Sequence, residues 1–386
     1  MGDPVIRILH TADWHLGREF HGRDLTTLHR HFFDWLAELI EARRIDLVLM
    51  AGDIYDRALP PVDAVRLHNE QLARLSDLAE LVLVTGNHDS TSRMGFGPLL
   101  RDSLHLRSGI GRLGEPVLFD GDFPLAIYPI PYLDPVTAGN ELDLDDSTHT
   151  AVLTEAVRRC RKDLEGRDGA RSIAIGHAFI TGSEESDSER SIQVGGSDNV
   201  AATVFEGFDY VALGHLHRPQ QVNGKIRYSG SPVPLSYSEV GAGPPKSVTV
   251  LEMEADGSFE QEQVEIPQLV GMARIRGSLE ELLDSREFNA AEEHWLEVTL
   301  TDKVRPDQPM DRLRTRFPNV VSLRFESPIT STAEGEAEEL TRIAETDPAK
   351  LVGSFLEAVR GSGPSPEEEE LVTGALEWKA REETVS

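Results

Sequence analysis

Glu80-Leu81-Val82-Leu83-Val84-Thr85-Gly86-Asn87-His88-Asp89 is the stretch that decides how this chain folds. Its first six residues are rich in leucine and valine, the composition of a buried strand, and its last four form a turn carrying an amide, an imidazole and a carboxylate. A polar motif delivered by the end of a core strand lies where α/β sheets place ligands and chemistry. Glycine permits the turn, asparagine offers a neutral oxygen ligand, and histidine exchanges a proton near neutrality.

The same arrangement recurs on both sides of that stretch. Upstream, residues 5–10 read as a strand running into Thr11-Ala12-Asp13-Trp14-His15-Leu16-Gly17. Asp13 and His15 are two apart, so in an extended segment they leave the same face. Residues 46–51 form a second strand and deliver Gly52-Asp53-Ile54-Tyr55-Asp56. Between them, residues 26–44 carry Leu28, Phe32, Leu36, Leu39 and Ile40 at helical spacing, and Pro60-Pro61 opens a second helix through Leu78. This β-α-β-α-β run puts an acid, an acid and an Asn-His pair at three strand ends on one sheet edge. Downstream, the strand 172–176 ends at His177 and the strand 210–214 ends in His215-Leu216-His217. Residues 225–232, 246–253 and 259–266 read as strands closing the domain.

Composition bounds the function. The 386 residues suffice for two or three domains, and no apolar run approaches a membrane span. Met1-Gly2-Asp3-Pro4 lacks the basic and apolar regions of a signal peptide, and Cys160 is the only cysteine, which excludes a disulfide framework and a thiolate zinc site. These features predict a cytoplasmic protein without membrane attachment. The net charge of −29 opposes nucleic-acid binding by charge alone. Bound divalent cations, a local basic patch or a partner supplying the grip would each reconcile it with a phosphate substrate. Arg18 and Arg23, just after the first motif, are the candidates for DNA phosphate contact.

The domain reading places one unit at 1–267 and a smaller one at 268–327. In the second, 273–276, a helix from 279, 294–300, a helix from 309 and 320–325 repeat β-α-β-α-β without metal-ligand spacing. Residues 328–346 read as a Ser-, Thr- and Glu-rich linker. Residues 347–386 read as a helical hairpin, opened by Asp347-Pro348 and Ser365-Pro366. Leu351, Phe355 and Leu356 on its first helix, with Leu371, Leu376 and Trp378 on its second, are too few for a core and predict docking on a partner. The acidic run 183–190 reads as an exposed loop. Gly241-Ala242-Gly243-Pro244-Pro245-Lys246-Ser247 is no phosphate-binding loop, since Pro245 has no amide to offer.

Asp13, His15, Asp53, Asn87, His177, His215 and His217 form a mixed nitrogen and oxygen donor set that suits two divalent ions such as manganese. Asp53 is the most economical bridge between them. Two ions roughly 3.5–4 Å apart can acidify a shared water and clamp a phosphoryl group. His88 stays outside the ligand set, free to act as general acid, and Asp56 can orient its imidazole and raise its pKa. The chemistry is metal-assisted hydrolysis of a phosphate ester.

In order, Asp13-x-His15, Gly52-Asp53, Gly86-Asn87-His88-Asp89, Gly176-His177 and Gly214-His215-x-His217 resemble the signature of the calcineurin-like metallophosphoesterases. Within that superfamily, residues 9–17, 51–56, 212–217 and 228–236 resemble the SbcD family of bacterial nuclease subunits. The resemblance implies an α/β fold, a two-sheet sandwich flanked by helices, with a small α+β capping domain that positions DNA and a C-terminal helical hairpin. It implies one manganese on Asp13, His15, Asp53 and His217, a second on Asp53, Asn87, His177 and His215, and His88 as the catalytic histidine beside Asp56. It also implies a homodimer within a heterotetramer, with the hairpin bound to an SbcC-type ATPase. The activity implied is manganese-dependent double-strand exonuclease and single-strand or hairpin endonuclease cleavage, in DNA repair, recombination and replication. Two other readings compete, a phosphatase or small-molecule phosphodiesterase of the same superfamily and a non-catalytic metal-holding scaffold. Ala58 and Asp89 depart from the Gly and Glu that serine/threonine phosphatases carry there, and a scaffold would leave His88 without a task.

Overall fold

Apolar strands buried on both faces need a cover on each side, and here each sheet covers the other. The structure, a computed structural model, describes residues 4–91, 93–94, 101–189, 200–241, 243–326, 363–366, 368 and 371–375. The first part of the chain supplies β1 (Val5–Thr11), β2 (Glu19–Phe20), β3 (Arg23–Asp24), α1 (Thr26–Arg43), β4 (Leu47–Ala51), α2 (Val62–Ser76), β5 (Glu80–Val84) and β6 (Leu104–Arg107). Then follow β7 (Val117–Asp120), β8 (Pro124–Ile130), α3 (Pro135–Glu141), α4 (His149–Leu164), β9 (Arg171–His177), β10 (Tyr210–Gly214), β11 (Gln220–Gln221), β12 (Ile226–Tyr228), β13 (Ser247–Glu254) and β14 (Phe259–Glu265).

One six-stranded sheet has the order β14-β13-β1-β4-β5-β6 and the other β11-β12-β10-β9-β8-β7. Strands β1, β4, β5 and β6 run parallel, with β13 and β14 antiparallel at one side. In the second sheet β12, β10, β9 and β8 are parallel. Parallel crossovers bring the C-terminal ends of β1, β4 and β5 to one edge, and those of β9 and β10 to one edge of the other sheet. Ile8, Leu49, Val82 and Val84 of the first sheet pack between the layers with Ile127, Ile173, Ile175 and Ala212 of the second. Helices α1 and α2 cover the first sheet with Phe32, Phe33, Leu36, Leu67 and Leu75. Helix α4 covers the second with Val152, Leu153, Ala156 and Cys160, so the lone cysteine is a core residue.

The smaller unit is a three-stranded sheet of β15 (Met272–Gly277), β16 (Trp295–Leu300) and β17 (Val320–Phe325), carrying helices α5 (Leu279–Asp284) and α6 (Pro309–Arg314). Strands β15 and β16 pair in parallel, as their crossover helix requires. An aromatic seam joins this sheet to the sandwich. Phe20 of the β2–β3 hairpin stacks on Trp295 with ring centres 6.0 Å apart, and Tyr237 packs on Phe20 at 5.1 Å. Contacts group the chain into Met1–Arg324 and a second unit, Phe325–Ser386. In the second, residues 371–375 are helical and Leu371 is exposed. The expected linker 328–346 and the apolar positions Leu351, Phe355, Leu356, Leu376 and Trp378 lie outside the described residues.

Elements differ from expectation mainly at their edges. Helix α2 begins at Val62, with the Pro60-Pro61 pair before it, and ends at Ser76 rather than Leu78. Helix α4, whose apolar spacing reads as a helix over 151–164, begins at His149 because Thr148 caps it, accepting from the Ala151 amide at 3.2 Å. The stretch 101–170, thinly legible in sequence, supplies three strands and two helices.

Phe33 is fully buried under α1, edge-on to Trp14 at 4.9 Å. Phe33→Ala should destabilise the fold by about 3–5 kcal/mol, read as a lower midpoint in chemical denaturation. A loss below about 1 kcal/mol, the size of a surface change, would contradict this packing.

Candidate metal centre

Backbone geometry prepares the site before any side chain is considered. Asp13 (φ 53°), His15 (φ 46°), Asp53 (φ 51°) and His215 (φ 105°) all hold positive φ although none is glycine. Such residues cost about 1–3 kcal/mol each and persist only where surrounding structure over-determines them. Here the loops after β1 and β4 are laced together: Asp13 N donates to Gly52 O at 3.0 Å, His15 N to Asp53 O at 3.0 Å, and Leu16 N to Ile54 O at 2.9 Å. The Asp89 carboxylate staples the β4 and β5 loops, accepting from Ile54 N at 3.1 Å, Tyr55 N at 2.9 Å and Gly86 N at 2.9 Å. Two glycines are steric requirements. A Cβ on Gly86 would lie 2.1 Å from Asp53 Oδ1, and one on Gly214 would lie 1.8 Å from Ala51 O.

Six of the seven expected donors, Asp13, His15, Asp53, Asn87, His177 and His217, have ligand atoms close together, with Asp53 at the centre. Its Oδ1 accepts from His88 N at 2.9 Å, and its Oδ2 lies 3.5 Å from both His15 Nε2 and His177 Nε2. His15 Nε2 is 3.0 Å from His217 Nε2, and Asn87 Oδ1 is 2.9 Å from His177 Nε2. Asp13 Oδ1 accepts from His215 N at 2.9 Å. Three trios place their ligand atoms within 4.8 Å of one another: Asp13, His15 and His217; Asp13, Asp53 and His177; and His15, Asp53 and His88. The His215 ring stands outside these trios, 5.4 Å from the His177 ring.

The donor chemistry fits cations. His177 Nδ1 lies 3.0 Å from Ala51 O, an acceptor only, so Nδ1 carries the proton and Nε2 is bare. That bare nitrogen faces Asn87 Oδ1, and two acceptors repel at such a distance unless a cation lies against both or the amide turns. Asp13 Oδ2, His15 Nδ1 and His215 Nε2 are buried with no hydrogen-bond partner among the described residues. Burial holds His15, His215 and His217 well below the ordinary histidine range and lowers His177 too, leaving neutral rings with lone pairs to give. Burial and the neighbouring Asp53 push the Asp13 carboxyl well up, the signature of like charges confined without a counter-ion. A set of imidazole, carboxylate and amide donors without thiolate suits divalent ions of intermediate hardness, manganese among them.

His88 sits beside this cluster, its Nε2 3.9 Å from Asp53 Oδ2. The expectation that the Asp56 carboxylate orients it needs correction. His88 Nδ1 donates to the Asp56 main-chain carbonyl at 2.6 Å. The carboxylate faces Arg18 Nη1 at 3.1 Å and His15 Nδ1 at 3.7 Å instead. The cause is backbone pairing: Asp56 N donates to Leu16 O at 3.2 Å, which turns the side chain towards the first loop. Arg18 and Arg23 are likewise engaged within the protein, Arg18 on Asp56 and Arg23 with its guanidinium 5.1 Å over the Trp295 ring.

Within the acidic run, residues 183–189 are not simply exposed. Ser188 is buried with its Oγ 2.5 Å from His217 Nδ1, and Glu189 Oε1 accepts from His217 N at 2.8 Å. Lys246, of no use as a phosphate-loop lysine, is buried in an ion pair with Glu239. No spacing in the chain announces these contacts: Ser188 is 29 residues from His217 and 51 from Glu239, and Lys246 is 29 from His217.

The profile of the calcineurin-like phosphoesterases matches residues 6–219, and that of the type 5 capsule protein repressor C-terminal domain matches residues 268–360. The SbcD subunit of the nuclease SbcCD from Staphylococcus epidermidis is 28% identical over 324 residues, covering 82% of this chain and 85% of that protein. Among solved structures, TT1561 of Thermus thermophilus aligns with 67% of this chain and 99% of its own at 11% identity and a TM-score of 0.40. GAP50, the anchor in the inner membrane complex of Plasmodium, aligns with 86% of this chain and 99% of its own at 12% identity and a TM-score of 0.39. Among the described residues no helix is long and apolar enough to cross a membrane.

Two outcomes follow from the geometry. Gly86→Ala should remove divalent-ion binding while the chain still folds, checked by calorimetry beside circular dichroism; unchanged ion affinity would refute the close approach. Ion uptake should also release protons, because an ion takes the ionised Asp13 carboxylate whereas the ion-free site favours the protonated one. Affinity therefore rises with pH through the raised range of that carboxyl, and titrations in buffers of different ionisation enthalpy should give different heats. Equal heats in both buffers would count against it.

Proposed function

Because the chain belongs to the calcineurin-like phosphoesterase family, we propose that it is a metal-dependent DNA nuclease working with an SbcC-type ATPase. The observation that carries the chemistry is Asp53 Oδ2, 3.5 Å from an imidazole nitrogen on each side and 3.9 Å from His88. In this reading Asp13, His15, Asp53 and His217 hold one divalent ion, manganese by preference, and Asp53, Asn87, His177 and His215 hold the other. When bound, the two ions supply Lewis acidity towards the phosphoryl oxygens and lower the pKa of the attacking water.

The chain's own residues do the rest. Asp53 draws the two halves of the site to one point, since its Oδ1 is committed to the His88 amide and its Oδ2 is left for the cluster. His88 holds its Nδ1 proton on the Asp56 carbonyl and turns Nε2 to the site, where its protonated form gives a proton to the departing sugar oxygen. Arg18 keeps the Asp56 segment in place and so acts on His88 at one remove.

A DNA substrate is supported by the SbcD relative. At the seam beside the centre, a polar cavity of about 220 Å³ is lined by Arg18, Arg274 and Arg324 together with Glu19, Asp187 and Glu297, so its charges balance. Residues 268–327 then form the capping domain that positions DNA at this seam. Residues 347–386, where Leu371 is exposed, would dock on the ATPase, which contributes further DNA grip. The assembly is a homodimer of this chain joined to the ATPase in a heterotetramer.

The test is cleavage of linear and hairpin DNA by the purified chain with manganese, beside His88→Ala and an aryl phosphate monoester. His88→Ala should lower DNA cleavage by roughly 10²–10⁴-fold, the usual contribution of a general acid, with ion binding intact. Monoester turnover without DNA cleavage, before and after adding the ATPase, would replace the nuclease with a phosphatase.

A further inference from the structure

The amide, carbonyl and ring Nδ1 of His217 are all held by residues outside the ligand motifs. Its amide donates to Glu189 Oε1 at 2.8 Å, and its carbonyl accepts from Lys246 Nζ at 2.7 Å and from Ser231 N at 3.1 Å. Its ring Nδ1 lies 2.5 Å from Ser188 Oγ, which itself lies 2.5 Å from Glu239 Oε1. The far oxygen of Glu239 is paired with the Lys246 ammonium, and that ammonium also donates to Ser231 Oγ at 2.8 Å. Ser188, Glu239 and Lys246 are all buried.

Proton counting along this line has one solution. A carboxylate paired with an ammonium only accepts, so the single Ser188 hydroxyl proton goes to Glu239. The neighbouring Ser186 Oγ lies 2.9 Å from Ser188 Oγ but sends its own proton to the closer Glu189 Oε2, at 2.6 Å. Ser188 Oγ must therefore accept from the ring, which puts the His217 proton on Nδ1 and leaves Nε2 bare, 3.0 Å from His15 Nε2. A carboxylate behind a ligating imidazole is a known way to fix its tautomer and orientation. Here a hydroxyl stands between the two, and an ammonium holds the carboxylate.

We propose that Ser188, Glu239 and Lys246 are positioning residues of the metal centre, a relay that fixes the His217 ring for one ion and leaves the ion on the His177 side alone. His177 has its own simpler anchor, the Ala51 carbonyl at 3.0 Å, so the two halves of the centre are tuned independently. The relay joins the segment 186–189 to the 236–239 turn, where Asp187 N donates to Ser238 Oγ at 2.9 Å. It thus anchors one ligand to the wall of the seam with the small sheet.

The proposal rests on the two-ion reading of the site, and its test separates the two. The ion-free full-length chain is titrated with Mn²⁺ in the absence of DNA, with heat followed by calorimetry and free Mn²⁺ by electron paramagnetic resonance. The unaltered chain should bind two ions. Ser188→Ala should weaken one binding event by about 10–100-fold, the usual effect of removing a partner of a ligand, and leave the other and the melting temperature unchanged. Glu239→Gln should weaken the same event, and the double variant should be no worse than the worse single, because both act through one relay. Should Glu239→Gln not fold, Ser188→Ala decides alone. Both events unchanged, both weakened alike, or additive losses in the double variant would overturn the relay. An unaltered chain that binds no Mn²⁺ would overturn the two-ion reading and the relay with it.

Discussion

Two carboxylates buried in one small volume are the constraint on which the rest of this structure depends. Asp13 and Asp53 lie among five buried imidazoles, those of His15, His88, His177, His215 and His217. Burial raises the cost of each charge and their proximity raises it again, so the arrangement is stable as a charged site only with cations between the side chains. The neutral, downshifted histidines fit the same requirement, because a protonated ring could neither ligate nor sit beside its neighbours.

Much of the local structure exists to hold that cluster in place. Four non-glycine residues with positive φ, the bare backbone approach at Gly86 and Gly214, and the three-fold acceptor Asp89 are unfavourable or costly features taken singly. Together they bring loops from β1, β4, β5, β9 and β10 to within ligand distance. The sandwich core makes this tolerable: strands buried on both faces are rigid, and rigid strand ends hold loops in conformations that an isolated peptide would leave. Burial, and then the neighbouring Asp53 charge, push the Asp89 carboxyl up to about 7.

The small sheet belongs to the same scheme through aromatic packing. Phe20 follows the first ligand loop by only five residues from His15, and it stacks on Trp295 of β16. Tyr237, packed against Phe20, precedes Glu239 by two residues. Sheet, seam and metal centre therefore share short covalent links as well as contacts, and the polar cavity at the seam opens beside Ser188.

How much of this was legible in the chain differs by kind of feature. Ligands at strand ends were readable because burial on both faces makes the strands visible as apolar runs, and the Asp-x-His and His-x-His spacings carry the alternation of extended backbone. The sequence by itself therefore determined the strands and the candidate donors at their ends, and the two-sheet sandwich only through its family resemblance. It also marked His88 as the histidine left over. Helix ends were less legible, since capping by Thr148 outweighs apolar spacing at α4. Only the tertiary structure decided that the Asp56 carbonyl, not its carboxylate, holds His88, because backbone pairing with Leu16 turns the side chain away. Only the tertiary structure placed Ser188, Glu239 and Lys246 behind His217. Those contacts join segments far apart in the chain, and a buried hydroxyl, acid and amine leave no periodic trace by which composition or spacing could find them.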